Sequence, residues 1–99
     1  MIAIPLPLGQ VVFTQAVDDW RRKDLVARTA LLRSLLERHQ ARDWGDMSQA
    51  DKDQNDEALR TGGHIYSSYE LPEHGQGVKI WIITEPDHSV TTVLFPSDY

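Results

Sequence analysis

Hydrophobic positions along this chain keep two different periods, and the change from one to the other falls near residue 63. Before it, the strongest run is Leu25, Val26, Ala30, Leu32, Leu35 and Leu36, which recur at the three, four and seven spacing of an amphipathic helix. The spacing predicts a helix from Leu25 to about Gln40, capped by Asp24, with Arg28, Arg33, Glu37 and Arg38 towards water. A shorter helix is expected over Gln15 to Lys23, capped by Thr14, with Ala16, Val17 and Trp20 on one face. A third runs from Gln49 to Arg60, opened by Ser48 and Asp51 as a Ser-x-x-Asp capping box and ended by Thr61-Gly62-Gly63. Its apolar residues are only Ala50, Ala58 and Leu59, so it is expected to be weakly anchored. Asp51, Asp53, Asp56 and Glu57 favour its N-terminal half through the helix dipole.

After residue 63 the period is two. His64 to Leu71 alternates, Val78 to Thr84 is nearly all apolar, and Ser89 to Phe95 returns the chain after the turn Glu85-Pro86-Asp87-His88. Near the front, Gln10 to Thr14 is β-branched and aromatic and reads as a short edge strand. Pro72 to Gly77 reads as a loop, and Met1 to Leu8, punctuated by Pro5 and Pro7, as an extended arm. The expected fold class is α+β, with two to three helices packed on one face of a three- to four-stranded antiparallel sheet. One domain is expected over 1–99, with the arm at 1–8, a mainly helical part at 15–60 and strands at 64–95.

Composition narrows the function classes. The 99 residues are 40% apolar and 25% charged, as in a soluble globular domain. There is no cysteine, which excludes disulfides and thiolate zinc sites. A net charge of −5 argues against a bulk electrostatic grip on nucleic acid. That charge is uneven: residues 1–42 are net +3, residues 43–62 net −4, and residues 63–99, with Lys79 their one Lys or Arg, another −4. The apolar start is short, holds two prolines and lacks a basic leader, so no signal or spanning segment is expected and the compartment expected is the cytoplasm.

Several blocks carry a resemblance. They are Leu8-Gly9-Gln10-Val11-Val12, Arg38-His39, Asp43-Trp44-Gly45-Asp46, then Asp51, Asn55, Ala58-Leu59 and Gly63. The longest is Lys79-Ile80-Trp81-Ile82-Ile83-Thr84-Glu85, followed by Ser89-Val90-Thr91-Thr92-Val93-Leu94, Pro96 and Tyr99. In these the chain resembles a widespread family of small, mostly uncharacterised bacterial proteins of plasmids, phages and integrative elements. The family usually has Arg where this chain has His64 and His88, and Gly where it has Arg42. The resemblance implies a mobile-element setting and an accessory role, and no established reaction.

The candidate chemistry is spread over four features. His39, His64, His74 and His88 show no i, i+4 pair on a helix and no His-Glu-x-x-His pattern, so neither a metal site nor a cofactor is expected. Trp44 is either a surface anchor or a plug at a helix–sheet corner, the plug being favoured. Lys79, Trp81, Ile83 and Glu85 share one face of their strand, which the N-terminal arm or a partner chain would cover; a homodimer or partner surface built on Trp81 and Ile83 is one alternative. His64, Tyr66, Glu85, His88, Thr91 and Thr92 are expected at one end of the sheet, where His64, Glu85 and His88 would serve a small ribonuclease-like hydrolase. The leading expectation is different: a non-enzymatic protein-binding module. Asp43, Trp44, Asp46, Asp51, Asp53, Asp56, Glu57 and Trp81 would contact a protein partner. The partner class expected is a nucleic-acid-binding defence complex, restriction or CRISPR, whose basic groove the carboxylates occupy. No direct nucleic-acid or membrane contact is expected.

Overall fold

Strands and helices form where the two periods place them. The computed structural model describes residues 5–71 and 77–99. In chain order the elements are β1 (Gln10–Phe13), α1 (Gln15–Arg22), α2 (Leu25–Gln40), α3 (Gln49–Thr61), β2 (Ile65–Glu70), β3 (Lys79–Thr84) and β4 (Val90–Leu94), then a 3-10 turn (Pro96–Asp98). Thr14 accepts the Val17 N–H and Ser48 the Asp51 N–H, as their cap positions require. Asp24 precedes α2 without a side-chain cap bond.

The sheet order is β1-β4-β3-β2. β2, β3 and β4 are antiparallel neighbours. β1 runs parallel to β4, with Val11 beside Thr91 and Phe13 beside Val93. The sheet is therefore mixed, which corrects the expectation of an antiparallel one. No hairpin joins β1 to β4, so no local turn dictates their relative direction.

The main core lies between this sheet and the first two helices. Val17, Leu32 and Leu35 pack against Tyr69, Leu71, Ile80, Ile82 and Val93. The buried stripe of α2 is Leu32, Leu35 and His39, and it does not extend to the helix start. Leu25 and Val26 are exposed, Val26 at 84%, and Ala16 and Ala30 are exposed too. One turn before Leu32 the stripe is continued by Arg28, whose guanidinium lies over the Trp20 ring and donates to the Trp20 carbonyl at 2.7 Å. The first turn of α2 thus overhangs the sheet.

A second cluster joins Leu6, Trp44 and Ile65, with Met47, Ala58 and Leu59 against it. Here α3 meets the edge strand β2, and the segment before it closes that edge. Asn55 donates to the Tyr66 carbonyl at 2.7 Å and accepts the Tyr66 N–H at 3.0 Å. Ser68 bonds the Trp44 carbonyl and the Asp46 N–H. Gly45 sits at φ +76, with the Ser68 carbonyl where a Cβ would project. The arm, described from Pro5, runs to the end of α2, where the Leu6 N–H donates to the Gln40 carbonyl. Met1 to Ile4 and the loop residues 72–76, His74 among them, lie outside the described residues. Among the described residues no helix is long and apolar enough to cross a membrane.

Candidate functional site

The register assigns Tyr66 and Ser68 of β2, Lys79, Trp81 and Ile83 of β3, and Thr92 and Leu94 of β4 to the sheet face away from α1 and α2. Two covers were expected for this face, the N-terminal arm or a partner chain, and the described part of the arm packs at the end of α2 instead. The chain's last turn comes over it. Tyr99 meets Trp81 edge to face, with ring centroids 5.8 Å apart. The turn is held by Asp98, whose carboxylate accepts the Thr14 hydroxyl at 2.7 Å and the Phe95 N–H at 3.0 Å. Burial raises the Tyr66 phenol above its usual range, and a hydrogen bond with the Tyr99 side chain raises it further.

Between this aromatic group and α3 runs a groove of about 790 Å³. Trp81, Tyr66 and Tyr99 line one side, Met47 and Ala58 the other, and Asp46, Asp51 and Glu57 bring carboxylates to it. Asp51, Glu57 and Ala58 project into it because six or seven residues are close to two helical turns. Asp53 and Asp56 are exposed and fall outside the groove lining.

The acidic run is therefore divided. Asp43 is paired with Arg38 at 2.7 Å, and that hydrogen bond holds its carboxyl below the usual range. Asp46 is paired with Lys79 at 2.9 Å, and the hydrogen bond raises the Lys79 ammonium above its usual value. Glu57 pairs with Arg60 one turn on. Trp44 is 5% exposed and lies in the second core against His39, which removes its side chain from the contact surface. Trp81 is half-buried in the groove.

The proposed hydrolase residues are partly together. His64 Nε2 lies 2.8 Å from the Glu85 carboxylate, and the Tyr66 ring is 6.1 Å from the His64 ring. His88 stands in the β3–β4 turn with φ +58, its N–H donating to the Glu85 carbonyl at 2.9 Å. Thr91 is buried on the opposite, helix-covered face with Thr84, which separates it from Thr92. Among the described residues no three His, Asp or Glu side chains gather as a metal ion would need.

Sequence reasoning missed two positions that shape the site. Asn55 anchors α3 to β2 although it is polar; its place one turn before Ala58-Leu59 was the available signal. Tyr99 was not connected with Trp81, and no local pattern links a residue after the last strand to one in β3. No family model, curated protein or solved structure matches this chain.

Proposed function

We propose that the protein is a binding module that works by occupancy rather than turnover, presenting the groove beside α3 to a basic surface of a protein partner. The groove itself carries this reading. Aromatic rings and carboxylates line one concave site: Trp81, Tyr66 and Tyr99 offer apolar contact, while Asp46, Asp51 and Glu57 offer charge. A net charge of −5 adds long-range attraction for a basic partner. With the mobile-element setting that the resemblance implies, the partner class proposed is a nucleic-acid-binding defence complex, of the restriction or CRISPR kind, blocked at its Lys/Arg groove.

The division of the acids supplies the test. Partners captured from bacterial extract are compared for the native chain, an Asp51→Lys/Glu57→Lys double variant and an Asp53→Lys/Asp56→Lys double variant. The groove reading expects the first variant to lose the partner and the second to keep it. Loss in both would favour an open carboxylate ribbon along α3. Retention in the first at unchanged salt tolerance would remove the groove from the interface.

A second reading keeps one observation in its favour, the His64–Glu85 pair at 2.8 Å. A histidine beside a carboxylate is the raw material of general acid–base hydrolysis. Incubation of the pure protein with bulk RNA, beside a His64→Ala control, separates this from binding alone. Cleavage that disappears in the control would establish it.

A further inference from the structure

We infer that the group received by the groove is an arginine side chain of the partner, seated on the Trp81–Tyr99 corner with Asp51 and Glu57 as its counter-charges. The inference rests on the binding-module reading and names the chemistry its site takes.

Three of the chain's seven arginines are held in one way. The Arg38 guanidinium lies 4.6 Å from the Tyr69 ring centroid while its Nε donates to Asp43 at 2.7 Å. Arg21 lies 5.2 Å from the Phe13 ring and donates to Asp18 at 2.7 Å. Arg28 lies 4.8 Å from the Trp20 ring and donates to the Trp20 carbonyl at 2.7 Å. Each arrangement combines an aromatic face with an oxygen acceptor. The groove offers the same pair of elements, with Trp81 and Tyr99 as rings and Asp51 and Glu57 as acceptors, Glu57 being shared with the exposed Arg60. Those two rings face each other edge-on, and the described cation–ring contacts fall on Phe13, Trp20 and Tyr69 instead.

The chemistry selects arginine over lysine. A guanidinium is flat, weakly hydrated and able to stack while its edge donates several hydrogen bonds. An ammonium is a strongly hydrated point charge. Lys79 shows the contrast within the same groove: it reaches Asp46 at 2.9 Å as a simple ion pair at the rim. Both side chains of that pair keep solvent contact, 34% and 55% exposed, and Tyr99 of the aromatic corner is 78% exposed, so the corner is open to a cation from outside.

The three tryptophans, Trp20, Trp44 and Trp81, give three indole N–H reporters in an NMR titration of the full chain. The probe is N-acetyl-arginine methylamide, with the lysine and citrulline analogues beside it. The expected result is a saturable shift of the Trp81 indole with those of Trp20 and Trp44 unmoved. The lysine analogue should bind about threefold more weakly or worse, and citrulline, uncharged but similar in shape, should not bind. Asp51→Asn with Glu57→Gln, two exposed conservative changes, should weaken arginine binding about threefold or more. A Trp81 resonance that stays fixed, a citrulline shift as large as that of arginine, or equal movement of all three indoles would overturn the inference. If the Trp81 resonance stays fixed while the Asp51→Lys/Glu57→Lys variant still loses its captured partner, the arginine assignment fails and the binding-module reading stands.

Discussion

The Nε2 of His39 lies 2.9 Å from the Thr84 hydroxyl, and that contact sets the tautomer of a fully buried imidazole. The chain of bonds ends on an oxygen that can only accept: the Thr91 hydroxyl donates to the Leu8 carbonyl at 2.7 Å. Thr91 must then accept from Thr84, 2.8 Å away, and Thr84 must accept from His39. So His39 carries its proton on Nε2, and Nδ1 accepts from the Ser67 hydroxyl at 2.5 Å. One histidine thereby ties α2 to β2, β3, β4 and the arm.

This arrangement has a pH signature. Burial lowers His39 from 6.5 to about 4. Between those values the unfolded chain binds the proton and the folded one does not. Stability contributed by neutral His39 is therefore full above about 6.5, falls as pH drops, and levels off below about 4. The loss amounts to roughly 3 kcal/mol. Urea denaturation at about pH 7 and about pH 4.5 measures it, with His39→Gln as the comparison. The amide keeps a donor and an acceptor but does not titrate, so the variant should lose less stability over this interval. Equal losses would place the acid sensitivity on groups other than His39.

His39 also shows how far the sequence was legible. It stands four residues after Leu35 and seven after Leu32, so the helical period alone places it inward. That period, with Thr14 and Ser48 as caps, located every helix to within a residue or so. The same period misled at Leu25, which is in phase with Leu32, because a repeat along a helix carries no information on where the opposing sheet ends; Val26 is exposed for another reason, since it lies half a turn round the helix from Leu35. The direction of β1 and the edge-to-face contact of Tyr99 with Trp81 join residues more than 70 and 15 positions apart, beyond the reach of any local pattern. The division of the acidic run follows from the rotation of α3 about its axis, which Asn55, Ala58 and Leu59 set by burial against β2.

The buried face of α2 predicts opposite outcomes for two apolar residues half a turn apart, Val26 lying nine positions before Leu35 and on the other side of the helix. Val26→Glu should change stability by no more than about 0.5 kcal/mol, since the side chain is exposed and an acid suits the first helical turn. Leu35→Ala, in the core, should cost about 2–5 kcal/mol. Chemical denaturation of both variants checks the assignment. A large loss from Val26→Glu would mean that the helix start is covered.

Gly45 predicts a steep steric effect. A Cβ there would stand 2.2 Å from the Ser68 carbonyl and 2.6 Å from the Tyr69 ring, at φ +76. Gly45→Ala should cost more than about 3 kcal/mol and loosen the closure of β2. Gly62→Ala shares the left-handed backbone, φ +81, but meets nothing within 4 Å. It should cost only about 1–2 kcal/mol. Thermal melts of the two variants separate contact from backbone strain.

Asn55 guards the β2 edge with both ends of its amide. Asn55→Leu should leave the Tyr66 N–H and carbonyl unpaired and cost about 2–4 kcal/mol. It should also make the chain prone to edge pairing, visible as light scattering on warming. Lost stability without scattering would show that neighbouring groups still shield that edge.

Arg42 predicts a gain. It follows α2 with φ +64, where the Arg42 N–H donates to the His39 carbonyl at 3.1 Å and the Asp43 N–H to the Arg38 carbonyl at 2.9 Å. This is the left-handed helix exit that glycine favours. An L-residue there costs about 1–2 kcal/mol. Glycine returns roughly 0.5–1 kcal/mol of that through the entropy of the unfolded chain. On the backbone terms alone Arg42→Gly should therefore stabilise by about 0.5–1 kcal/mol, roughly 3–6 °C in Tm for a domain of this size, and the interaction that the Arg42 side chain makes is subtracted from that gain. An unchanged or lower Tm would mean that the Arg42 side chain makes contacts worth as much as the backbone strain it imposes.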